Sequence, residues 1–378
     1  MLGFTAEVAG TRACLVEPVA GQYRAVGWIN LARSRDGALP DQVAEACRRL
    51  GQRLGSVLWD EELNTPFTRT IDRVRFPPLD QVAGSLSARP PLRVVAAGLS
   101  RGGSIAAACD GIAAAPCTLA GELVYDATVD GAQVAALLEQ TQPDAFVLTG
   151  GFDDERPAAQ AAVLGLSRAV AQAAARLPRS RRPAVLYAGN RAAADRAEAL
   201  FRTPDAPPFE VLENVLPEPG LRRRAGLAQA LSYAYWRLMQ RLVGFKEVTR
   251  WVTEPGYAAT IEARFVQLLQ AWALRRGLSG LHGAYCGPAW WLHAWADRAR
   301  GEIHILYAEP GTRPPGLEGW PPLRFVSGDW PALWPRPDGA WWDPAALAPV
   351  IAGLGQTAPQ ALIQVLEADI VRTVRASS

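Results

Sequence analysis

Four short segments directly follow apolar runs; three place glycine beside serine, asparagine or acidic residues, and the fourth places asparagine after glutamate. They are Gly98-Leu99-Ser100-Arg101-Gly102-Gly103-Ser104, Thr149-Gly150-Gly151-Phe152-Asp153-Asp154, Ala188-Gly189-Asn190-Arg191 and Glu213-Asn214-Val215-Leu216-Pro217-Glu218. Glycine lets a ligand approach the backbone, and a helix that starts there turns its N–H groups toward an anion. The pairs Gly102 and Gly103, and Gly150 and Gly151, are therefore candidate ligand contacts. The same residue types are also what strand-to-helix turns need as caps, so each segment alone reads equally as a turn.

Other chemistry is thinly represented. Cys286 with His282 and His293 is the nearest approach to a metal-ligand set, but the spacing follows no standard zinc pattern. On a strand, His293 would sit between Trp291 and Trp295 as an amphipathic filler. A Ser-His-acid triad would have only three histidines to draw on, so hydrolysis by that chemistry is not expected. Lys246 is the single lysine among 39 basic residues and lacks a glycine-rich approach, which excludes a Walker A loop. The five cysteines (Cys14, Cys47, Cys109, Cys117 and Cys286) are scattered and never spaced C-x-x-C, so neither a disulfide framework nor a four-cysteine zinc site is expected.

The 378 residues, 49% hydrophobic and 20% charged, suit two or three globular domains. The net charge of +2 is spread without a block of like charges, which argues against a nucleic-acid arm or a polybasic membrane segment. The start, MLGFTAEVAG, has no basic n-region or long apolar h-region. No stretch reaches the roughly 18 apolar residues of a membrane span, so a cytoplasmic protein is expected.

The elements that would position these residues follow from periodicity. Residues 2–31 read as three short strands in an antiparallel meander, followed by a helix from Asp41 to about Leu58 with Asp41 as N-cap. From 92 to 243, apolar runs of five or six residues alternate with helical stretches: strand 92–97, helix 102–115, strand 144–150, helix 156–177, strand 183–189, helix 191–201, strand 209–214 and helix 220–243. That alternation predicts a parallel sheet covered on both faces. Residues 280–308 again suggest a strand meander. Residues 309–344 hold nine prolines and five tryptophans, which predicts an ordered, irregular excursion that is either a plug for its own lobe or a protein–protein surface.

Taken in order, three of the segments resemble the glutamate mutase L family (MutL or GlmL), which is linked to adenosylcobalamin-dependent glutamate mutase. The family carries an LLAGGTDGG-like turn, then AGN-x-x-A, then ENVMPE. Here these stand as Val147 to Asp154, Ala188-Gly189-Asn190-Arg191-Ala192-Ala193 and Glu213 to Glu218. The similarity is best over about 92–220.

The resemblance implies an α/β, two-lobed actin-like fold of the actin, sugar kinase and Hsp70 (ASKHA) type. It divides the chain into a first lobe at 1–91, a Rossmann-like α/β block at 92–243 inserted into it, and a second lobe at 244–378. It also implies hairpin phosphate loops gripping ATP and Mg²⁺. The family's D-I-G-S-T loop corresponds to Glu7-Val8-Ala9-Gly10-Thr11, making Glu7, Gly10 and Thr11 nucleotide-site candidates, with Asp153 as a further carboxylate. Its D-V-G-G-A-T-T-D-V-H loop corresponds to residues 284–293, where Cys286 and Gly287 remain but Ala284 and Trp291 replace the two carboxylates. Its closing glycine turn corresponds to Gly353 and Gly355. Magnesium needs oxygen ligands, so the lost carboxylates point to a catalytically degenerate member, a pseudo-ATPase acting as a binding or scaffolding subunit with a paralogue or a second copy. The alternatives are an ATP-dependent chaperone or reactivase for the cobalamin-dependent mutase, and a small-molecule-binding α/β protein.

Overall fold

The computed structural model describes residues 1–8, 10–19, 22–32, 37–71, 77–204, 206–253, 258–260, 280–286, 291–297 and 302–308. The expected features at Gly287, 309–344, Gly353 and Gly355 lie outside the described residues. Among those described, the chain forms two compact units. One comprises Met1–Pro90 with Trp236–His304 and Ala308, the other Pro91–Tyr235 with Ile305–Tyr307.

The first unit opens with β1 (Leu2–Glu7), β2 (Gly10–Val19) and β3 (Gln22–Ala32), paired antiparallel in sequence order. Leu2, Phe4 and Ala6 alternate inward along β1, the two-residue period of a strand with one apolar face. Helix α1 (Leu39–Leu54) buries Val43, Ala46, Cys47 and Leu50. It begins two residues earlier than the sequence suggests. Ala38 is the N-cap and Pro40 occupies the first turn, where its missing N–H costs nothing, so Asp41 is a first-turn acid rather than the cap. Gly55, with φ of 66°, ends the helix in the left-handed conformation. Short strands β4 (Trp59–Asp60) and β5 (Thr65–Pro66) form a hairpin. Strand β6 (Val82–Ser87) then pairs parallel with β1, placing Ser87 beside Glu7.

The second unit is a parallel sheet with helical crossovers. Its elements are β7 (Leu92–Gly98), a π-turn at Arg101–Ile105 running into α2 (Ala106–Ala113), β8 (Cys117–Val124), α3 (Gly131–Thr141) and β9 (Ala145–Leu148). They continue as α4 (Pro157–Arg176), β10 (Ala184–Tyr187), α5 (Ala194–Ala199), β11 (Phe209–Val211) and α6 (Ala225–Met239). The strand order is β11-β10-β9-β7-β8, every pair parallel. Val95, Phe146, Leu148 and Val185 from the strands meet Val134, Leu138, Val163, Leu166 and Val170 from α3 and α4 in one apolar core. The fold class is thus α/β with a parallel sheet, as the alternation implies. The β8–α3 pair adds a strand and a helix between 115 and 144 that the periodicity did not reveal.

The chain continues through α7 (Phe245–Trp251), which packs on α1, and β12 (Ala258–Ala259), which joins the first sheet to give the order β12-β6-β1-β2-β3. Strands β13 (Gly280–Cys286), β14 (Trp291–Asp297) and β15 (Glu302–Ala308) form a three-stranded sheet where a meander was expected. β13 and β14 pair antiparallel, with Ala284 opposite His293 and Cys286 opposite Trp291.

Candidate functional site

The four segments all follow strands of the second unit's sheet, so the topology gathers their turns at its carboxyl edge. After β7, Ser100 caps the following turn. Its Oγ accepts from the Ser104 amide at 3.2 Å, while the buried Ser104 hydroxyl accepts from the Leu99 and Ser100 amides at 3.1 and 3.3 Å. The two serines thus satisfy the turn reciprocally. Gly103 has a steric reason to be glycine, because a Cβ there would collide with Ser100 Oγ. Gly102 has none, since a Cβ would meet nothing within 4 Å.

After β9, the fully buried Thr149 hydroxyl donates to the Ala188 carbonyl at 3.0 Å, tying this turn to the one after β10. Gly150 and Gly151 then reverse the chain with φ of 138° and 74°, values open to glycine and costly for other residues. The three family-like motifs meet just beyond. Asp153 Oδ1 accepts from the Arg191 amide at 2.8 Å and from Asn214 Nδ2 at 2.9 Å. Asn214 Nδ2 also donates to the Gly151 carbonyl at 3.1 Å, and its Oδ1 accepts from the Leu216 amide at 3.0 Å. Asn190, fully buried, donates from Nδ2 to the Asp154 carbonyl at 2.9 Å and accepts from the Ala192 amide at 2.8 Å.

The knot has further anchors. The Tyr187 hydroxyl donates to the Asn190 carbonyl at 2.7 Å, and burial, with the nearby Asp153 charge, pushes the phenol pKa up so that it stays a donor. The Arg156 guanidinium and amide hold the half-buried Asp154 carboxyl below the usual carboxylate range. Glu213 pairs with Arg223, and the Arg223 amide reaches the Val215 carbonyl at 2.9 Å. Asn190 and Asn214 were visible only as members of their segments. Their signal was the placement of an amide directly after an apolar strand, where a buried side chain must find internal partners.

The candidates of the first unit lie at the β1–β2 turn. Glu7 ends β1, is 6% exposed, and stands 3.8 Å from the Arg12 guanidinium. Gly10 starts β2 beside β3, where a Cβ would collide with the Leu31 carbonyl oxygen, so its glycine has a packing reason. Thr11 is 1% exposed, and its Oγ1 has no hydrogen-bond partner. Cys286 is the last residue of β13. Among the described residues, no three His, Cys, Asp or Glu side chains come together as a ligand set for a metal ion.

A family model described as MutL protein matches residues 36–273, more than half of the chain and including all four segments. No curated protein and no solved structure matches the chain.

Proposed function

The chain belongs to the MutL family, that of glutamate mutase L, and from this we propose that it is an actin-like binding subunit that does not turn over ATP. The observation that carries this reading is the knot at the strand ends. Asp153, one of the two carboxylates offered for metal work, takes two N–H donors on Oδ1, from Arg191 and Asn214, and so holds three loops together. That oxygen is committed to the loops, and removing the carboxylate would untie the turns.

The first unit's sheet supports the actin-like build: an antiparallel meander extended on the far side of β1 by the parallel strands β6 and β12. In chain order, residues 91–235 fall between these two strands, which suits an inserted α/β block. At the loop corresponding to the family's second phosphate hairpin, Ala284 and Trp291 supply no oxygen ligand. The client in this reading is a component of the cobalamin-dependent mutase, held directly or through a paralogue. No described helix is long and apolar enough to cross a membrane.

Phosphate release from Mg²⁺-ATP by the purified protein is expected to equal the buffer control, because phosphoryl transfer relies on metal and fixed donors to stabilise the transferring group. One observation favours a second reading, an ATP-dependent reactivase of the same mutase. Glu7 is a buried carboxylate, and Thr11 carries a buried hydroxyl without a partner at the turn corresponding to the family's first phosphate loop. Turnover that vanishes in Glu7→Ala would establish that reading and remove the first.

A further inference from the structure

The bonds that knot the strand-end turns together also fix what those turns display. Phe152 stands between Gly151 and Asp153 on the turn after β9. The Gly151 carbonyl accepts from Asn214 Nδ2 at 3.1 Å, and the Asp153 amide donates to the Pro217 carbonyl at 2.8 Å, so the backbone is tied on both sides of the ring. The side chain is nevertheless turned outward, with the residue 44% exposed. By contrast, Phe4, Phe67, Phe146, Phe201 and Phe245 are all buried.

The bond from Asp153 to Pro217 brings the turn after β11 alongside. That turn is closed in its own right: the Arg223 amide reaches the Val215 carbonyl at 2.9 Å, and Leu221 pairs with Glu218 across Gly220, whose φ is 80°. Leu221 is 39% exposed and adds a second apolar side chain to the same edge. An aromatic held on a rigid turn loses little freedom when a partner covers it, and aromatic residues ringed by polar ones are the usual anchors of protein interfaces.

The charges around this pair do not balance. Asp154 and Glu213 are matched by Arg156 and Arg223. Glu155 and Glu218, both exposed, pair with no cation among the described residues, and Asp153 bonds only uncharged N–H groups there. Against these three carboxylates the same turns offer the exposed Arg191 guanidinium, itself without an ion pair among the described residues. The rim of the apolar patch is net negative.

We infer that Phe152 is the anchor by which this subunit holds its client, its ring entering an apolar pocket on the partner protein while lysine or arginine side chains around that pocket meet Asp153, Glu155 and Glu218. The inference rests on the proposed function, which supplies the partner, a component of the cobalamin-dependent mutase; it adds the surface used and the chemistry that surface must meet. Rim charge acts mainly on the rate of encounter and a buried anchor on the rate of release.

The test compares the association of the full-length parent, of Phe152→Ala and of the double variant Glu155→Lys with Glu218→Lys with the mutase components, at low and high salt. Phe152→Ala is expected to weaken the complex by about thirtyfold, as for a hot-spot residue. Its denaturant midpoint should equal the parent's, because the knot uses the backbone on either side of the ring and not the ring. The double variant should associate more slowly and lose the parent's salt dependence. No complex with the parent removes the proposed function and this inference together. A complex that Phe152→Ala forms equally well removes this inference alone. Weakened binding accompanied by a lower denaturant midpoint also overturns it, since the ring would then be holding the turn and not the partner. So does a double variant that keeps the parent's association rate and salt dependence.

Discussion

Asn214→Ala is expected to lower the unfolding free energy by about 3 kcal/mol, read as a drop in the denaturant midpoint with an unchanged slope. The side chain is 2% exposed and joins three partners: the Gly151 carbonyl, the Asp153 carboxylate and the Leu216 amide. Alanine leaves the Gly151 carbonyl and the buried Leu216 amide without this partner, while the exposed Asp153 carboxylate keeps only the Arg191 amide. A buried polar group left unsatisfied costs more than the net value of the bond it made. Asn214→Asp separates this account from a simple packing loss, because the side chains have nearly the same shape. The Leu216 amide keeps its acceptor, but an oxygen now faces the Gly151 carbonyl and the Asp153 carboxylate. The introduced carboxyl would have its pKa raised in the folded state. Its penalty therefore grows as pH rises through the carboxylate range and is relieved on acidification, when the protonated form can donate. A variant as stable as the parent at neutral pH would show that the knot does not hold the loops.

Gly244→Ala is expected to cost about 2–5 kcal/mol, from two separable causes. Gly244 precedes α7 with φ of 80°, where an L side chain is strained, and a Cβ would collide with the ring of Pro40 in the first turn of α1. The junction has little slack, because α7 is held at both of its ends. Phe245 packs edge-on to Trp236 with ring centroids 5.3 Å apart, and Trp251 edge-on to Trp59 at 5.0 Å. Adding Pro40→Ala should recover the steric part and leave the backbone part, which a double-mutant cycle of unfolding free energies would resolve. No coupling between the two positions would contradict the predicted contact.

The legible parts of the fold share one property. Val94 to Ala97, Ala145 to Leu148 and Val185 to Tyr187 are buried on both faces, and such strands read as unbroken apolar runs. Strand β8 does not read this way because it is an edge strand. Leu119 and Val124 are exposed, Gly121 and Glu122 interrupt the apolar run, and the register shifts against Val94 and Val95. Its partner α3 did carry a signal: Asp130 and Gln133 form a reciprocal capping box, a spacing visible in the sequence. Strand β6 was hidden by Gly84 and two serines, small residues chosen by close packing, since a Cβ on Gly84 would meet the Phe4 ring at 2.5 Å. Helix α6 starts at Ala225, not 220, because Gly220 turns at φ of 80° and the Arg223 amide is bonded to the Val215 carbonyl before the helix begins.

The site was legible as segments and not as a unit. Each motif could be found by its residues, but nothing local says that Asn214 bonds Asp153 across 61 positions or that Asn190 closes on the Asp154 carbonyl across 36. Only the parallel order of β9, β10 and β11 brings those turns side by side. Gly10 illustrates the converse. It aligns with a phosphate loop, yet the carbonyl of Leu31 on β3 is reason enough for a glycine there.

The central claim is that the protein works by holding a partner rather than by turning over nucleotide. The direct measurement is the association of the purified chain with the components of an adenosylcobalamin-dependent glutamate mutase, followed by light scattering with and without Mg²⁺-ATP. The account predicts a complex whose mass and affinity are the same in both conditions and are unaffected by Glu7→Ala. A complex that forms or dissolves only with ATP, or no complex under either condition, would contradict it.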